Sequence, residues 1–123
     1  MRRAIALAAV ALAAAAAVPA SARAPTPVGV GEREWRVSLY RSSVPVGYVR
    51  LNVHNFGEDG HDLSVRTRTG RVLASLPELR PGKSDSLRVR LRRPGRYVVF
   101  CSLEGHEALG MRARLRVTAR RPR

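Results

Sequence analysis

From Trp35 to Thr118 the chain alternates apolar and polar residues with a period of two. Trp35, Val37 and Leu39 alternate with Glu34, Arg36, Ser38 and Tyr40, the pattern of a strand with one buried face. It recurs at Val49, Leu51 and Val53; at His61, Leu63 and Val65; at Leu87, Val89 and Leu91; and at Ala113, Leu115 and Val117. Val72 to Leu76 reads as a short strand, and Tyr97 to Cys101 as a nearly continuous apolar one. Gly57–Gly60, Thr69-Gly70, Pro81-Gly82 and Pro94-Gly95 supply turn chemistry between them. Seven short strands with regular turn signals predict an all-β fold, an antiparallel β-sandwich. The expected core is Val and Leu with Trp35, Phe56, Tyr97 and Phe100.

The N-terminus breaks this pattern. Met1-Arg2-Arg3 is followed by an apolar run from Ala4 to Val18, ten of whose fifteen residues are alanine. At ~1.5 Å per residue such a run spans about 22 Å, short of the ~30 Å hydrocarbon core of a bilayer. Small residues follow at the spacing a signal peptidase accepts. Residues 1–22 therefore read as a secretory signal peptide, cut after Ala22 with Ala24 as the alternative. Residues 23–29 are expected to form an extended lead-in, residues 30–118 the domain, and residues 119–123 a basic tail. The expected location is periplasmic or extracellular.

Composition narrows the chemistry. The chain has 123 residues and a net charge of +14, and Lys83 is its only lysine among 23 basic residues. Removing Arg2 and Arg3 with the leader lowers the charge to +12. Such a surface favours an acidic protein or an anionic envelope surface as partner. Nucleic acid is not expected, because the protein is exported and no aromatic–basic groove is visible. Cys101 is the single cysteine, so an intramolecular disulfide, a Cys₂His₂ zinc site and a cysteine-ligated iron–sulfur cluster are excluded. His54, His61 and His106 are the only histidines. They are too few for a multicopper oxidase, or for a second, catalytic copper. No enzymatic activity is expected.

The remaining chemistry gathers near the C-terminus. Cys101-Ser-Leu-Glu-Gly-His106-Glu-Ala-Leu-Gly-Met111 has the spacing C-x₄-H-x₄-M, and His61 lies forty residues upstream after a glycine turn. Two imidazoles, a thiolate and a thioether form a soft donor set suited to one copper ion, in the combination of a type 1 blue-copper site. Cys101 ends one strand, Met111 opens the next and His106 lies between them. One hairpin thus gathers three of the donors. His54 falls on a polar strand face and is left outside the set.

Three segments carry a resemblance to a known family. Leu51-Asn-Val-His-Asn55-Phe-Gly-Glu-Asp-Gly60-His61-Asp62, Leu79-Arg-Pro81-Gly82-Lys-Ser and Pro94-Gly95-Arg-Tyr97-Val-Val-Phe-Cys101 resemble the corresponding stretches of cupredoxins, the plastocyanin- and azurin-like blue-copper proteins. The loop spacing is similar to that of rusticyanin and auracyanin. The resemblance implies a Greek-key sandwich, with His61, Cys101 and His106 as equatorial ligands and Met111 as the axial one. Asn55 and Asp62 are implied as supporting residues behind the ligands. Glu104 stands where a proline often precedes the family's Gly-His, and Asp62 follows His61 where plastocyanin has Asn.

The resemblance further implies docking through an apolar patch around His106, here Leu103, Gly105 and Leu109. The function it implies is a monomeric, soluble one-electron carrier between envelope redox proteins such as a cytochrome and an oxidase. The alternative is a module that stores or delivers copper. The lack of Met- and His-rich tracts for handing over the ion favours the carrier.

Overall fold

A computed structural model describes residues 5–16 and 23–120. Within the expected leader, residues 5–16 carry no regular secondary structure. Residues 1–4 and 17–22, including the cleavage position Ala22, lie outside the described residues, as do residues 121–123 of the basic tail. No helix among the described residues is long and apolar enough to cross a membrane.

Nine strands and one short helix follow one another along the chain. They are β1 (Thr26–Arg33), β2 (Arg36–Leu39), β3 (Ser43–Pro45), β4 (Gly47–Asn55), β5 (His61–Thr67), β6 (Val72–Leu79), β7 (Ser84–Leu91), β8 (Gly95–Phe100), α1 (His106–Leu109) and β9 (Arg112–Thr118). Two sheets result, in the orders β2-β1-β4-β7 and β3-β9-β8-β5-β6. The sandwich is the expected one, but each sheet is mixed: β1 pairs parallel to β4, and β3 parallel to β9. The remaining pairs are antiparallel.

The inward faces follow the period-two pattern. Val49, Leu51 and Val53 of β4 and Leu87, Val89 and Leu91 of β7 face Leu63 and Val65 of β5, Tyr97 and Val99 of β8, and Leu115 and Val117 of β9 across one core. At ~25 cal/mol per Å², burying each such aliphatic side chain contributes about 1.5–3 kcal/mol. Outward, arginines face one another directly across paired strands, Arg50 opposite Arg88 and Arg96 opposite Arg116.

Four expectations need correction. The lead-in at residues 23–29 becomes strand β1 from Thr26 onward. Its Val28 and Val30 are buried, and the ring of Tyr40 lies close over Gly29. Glycines in place of outward side chains hide this strand's alternation. β3, of three residues, is too short for a period of two to show in the expected strand pattern. The loop before Met111 holds a single helical turn, α1. Finally, neither Trp35 nor Phe56 is in the core: they are 38% and 51% exposed.

Candidate metal centre

The register of the second sheet assembles the site. β5 and β8 run antiparallel with Ser64 opposite Phe100, so His61 at the start of β5 lies beside Cys101 at the end of β8. β8 and β9 pair Phe100 with Arg112, and the Cys101 N–H donates to the Met111 carbonyl at 3.1 Å. The intervening loop is braced from within. The His106 N–H donates to Leu103 O at 3.0 Å, and the Met111 N–H donates to His106 O at 3.1 Å. Four separated sequence positions thus meet at one end of the sandwich.

The donor atoms converge. One ligand atom each from His61, Cys101 and His106 lies within 4.8 Å of the others. His61 Nδ1 is 3.3 Å from His106 Nδ1, which is 3.6 Å from Cys101 Sγ. His61, Cys101 and Met111 are fully buried, while His106 is partly exposed. Among the described residues no other group of three such donors occurs. Burial pushes the Cys101 thiol up to about 11, against the backbone N–H groups of Leu103 and Asp62, which favour the thiolate. Without metal the sulfur is therefore a protonated thiol at neutral pH, and a cation entering the site displaces that proton. Two imidazole nitrogens and a sulfur facing one another in a buried pocket fit a soft transition-metal ion.

Two residues whose alternation predicts a strand, Glu34 and Trp35, belong instead to this centre. Glu34 and Trp35 form the turn between β1 and β2, and that turn lies against the site. The fully buried His61 donates from Nε2 to Glu34 Oε1 at 2.8 Å. The same carboxylate accepts the N–H groups of Glu58 (3.0 and 3.1 Å) and Asp59 (2.8 Å). The Asp59 and Glu58 amides hold the Glu34 carboxyl down at about 2. The Trp35 ring stands edge-on to that of His106, with centroids 4.9 Å apart. Strict alternation with Val37 and Leu39 concealed both roles. No glycine or proline marks the turn at Glu34-Trp35; the nearest glycine, Gly31, lies within β1.

The remaining expected residues sit around the ligand loop. Asn55 is buried; its Nδ2 donates to the carbonyls of Asp59 (2.8 Å) and Leu79 (2.9 Å), and its Oδ1 accepts the Gly57 N–H (2.8 Å). It thereby pins the loop that leads into His61. The Asp62 carboxylate accepts the Ser102 N–H at 2.5 Å and the Ser102 hydroxyl, tying the two ligand strands together. Leu109 is 58% exposed and Gly105 exposed, whereas Leu103 is half-buried against the core. Glu107 is engaged by Arg66, at 2.5 and 3.0 Å. His54 lies apart, with Nδ1 at 2.5 Å from Ser84 Oγ and its ring against Phe56.

The chain matches no protein-family model and no curated protein. Solved structures do resemble it. An auracyanin from the photosynthetic bacterium Roseiflexus castenholzii superposes with a TM-score of 0.67 at 19% identity, over 78% of this chain and 99% of that one. Auracyanin A of Chloroflexus aurantiacus, a "blue" copper protein, gives 0.62 at 15% identity, over 77% of this chain and all of that one. A copper-containing nitrite reductase from Thermus scotoductus gives 0.60 at 19% identity, over 78% of this chain but only 32% of its own length. The sandwich is the cupredoxin fold.

Proposed function

We propose that the chain is an exported type 1 copper protein acting as a one-electron carrier between envelope redox partners. The observation that carries this reading is the convergence of His61 Nδ1, His106 Nδ1 and Cys101 Sγ at the end of a cupredoxin sandwich, with Met111 buried on the same loop. In this reading His61, Cys101, His106 and Met111 would hold the metal. A bound copper supplies one-electron exchange between Cu(II) and Cu(I). The chain supplies everything else. Both ends of the ligand loop are fixed by β8 and β9, so its donors keep one arrangement in both oxidation states. Burial of Cys101 and His61 excludes water. The partly exposed His106, flanked by Leu109 and Trp35, offers a short route to a docked partner.

The test is the absorption spectrum of the mature protein with Cu(II). An intense thiolate-to-copper band is expected, and Cys101→Ser should bleach it. A colourless reconstituted protein, or colour that survives the substitution, sinks the assignment. Rapid reversible reduction by a cytochrome separates the carrier from a copper store.

A further inference from the structure

The Glu34 carboxylate is built into the molecule with more care than a surface acid needs. It accepts from three donors: His61 Nε2 and the backbone amides of Glu58, which is shared between both oxygens, and Asp59. The space it occupies is kept open by Gly57, where an added Cβ would lie 2.4 Å from Oε1. On the other side of the turn a Cβ at Gly110 would lie 2.8 Å from the Trp35 carbonyl oxygen. The β1–β2 turn is therefore seated between the loop entering His61 and the end of the ligand loop. A carboxylate can only accept here, so His61 must carry its proton on Nε2. That leaves Nδ1, the nitrogen facing His106 and Cys101, with a free lone pair.

From this geometry we infer that Glu34 is a positioning residue for the metal centre, fixing the His61 tautomer and placing a fixed negative charge directly behind one ligand. The inference rests on the copper reading of the site. A carboxylate accepting from a metal-bound imidazole makes the ligand more basic, and losing such a partner typically costs 10–100-fold in metal affinity. The anion stabilises the more highly charged Cu(II) over Cu(I), so Glu34 holds the reduction potential down. Glu34→Gln keeps the shape and removes the charge; Glu34→Ala removes both.

The experiment measures the midpoint potential of copper-loaded protein and, separately, the His61 tautomer in metal-free protein by ¹⁵N-resolved NMR. Wild type should show the Nε2–H form alone. Glu34→Gln should raise the potential by the equivalent of about tenfold in the Cu(II)/Cu(I) affinity ratio, ~59 mV for one electron. Glu34→Ala should also leave His61 as a mixture of tautomers. Glu34→Asp, which keeps the charge, should restore most of the potential. Unchanged potentials in all three variants overturn the inference, as does an unchanged His61 tautomer in Glu34→Ala. A loss of melting temperature without either shift also overturns it, since that is the mark of a merely structural contact. If wild type itself takes up no copper, the copper reading fails, while the tautomer measurement still decides whether Glu34 positions His61.

Discussion

Two glutamates two residues apart show how far position decides the behaviour of one side chain. Glu34, in the turn, is satisfied by amides and an imidazole and is held at about 2. Glu32, in β1, is fully buried, and neither of its carboxylate oxygens has a hydrogen-bond partner. Burial, and secondly the charge of Asp62, push it up to about 8. The signs are opposite. Between its ordinary value of 4.5 and about 8, Glu32 holds a proton in the folded state that the unfolded chain has lost. Its contribution to stability is therefore largest at low pH and falls as pH rises through that window. Glu34's contribution is present above 4.5 and is lost as pH falls toward about 2. Denaturant unfolding of the metal-free protein from about pH 5 to 9 should show stability declining with pH, and Glu32→Gln should flatten the decline. An identical slope in the variant would remove Glu32 as its source.

At the scale of elements, the decisive contact is the β1–β2 turn against the ligand loop. Trp35 is the only tryptophan in the chain and stands 4.9 Å from His106, ring to ring. Cu(II) binding should therefore quench tryptophan emission in step with the growth of the thiolate band, while Zn(II) binding should not. Colour that develops with unchanged emission would place Trp35 away from the metal. This contact also marks the limit of what the sequence disclosed. The sandwich was legible because β4, β5, β7 and β9 each bury alternate residues. The cluster was legible because three of its members lie within eleven residues, joined by one hairpin. Glu34 and Trp35 were not, since they reach the centre only through the packing of β1 onto β4, and β1 itself was masked by Gly29 and Gly31. Phe56 was misplaced for a similar reason: it looks like core in the sequence, yet it lies outside β4 against His54.

Across the whole molecule a bound copper would act as a ligand of the native state alone, because His61, Cys101 and His106 come together only on folding. Copper at a free concentration 100-fold above its Kd adds about 2.7 kcal/mol to stability. In a domain of this size each kcal/mol is worth ~4–8 °C, so melting should rise by roughly 10–20 °C on loading. A calorimetric scan with and without copper measures this, and an unchanged melting temperature would mean the donors do not act together. The register that joins residues 34, 61, 101, 106 and 111 has a further consequence, for the order of events in folding. Closing the centre requires the first strand pair, the His61 loop and the last hairpin together, contacts of long sequence separation that form slowly. A chain still lacking its C-terminal hairpin presents His61 and Glu34 without a thiol to complete the set. The thiolate band would thus time one folding event, the joining of β5 to the β8–β9 hairpin, since it develops only once His61 has been brought to Cys101 and His106.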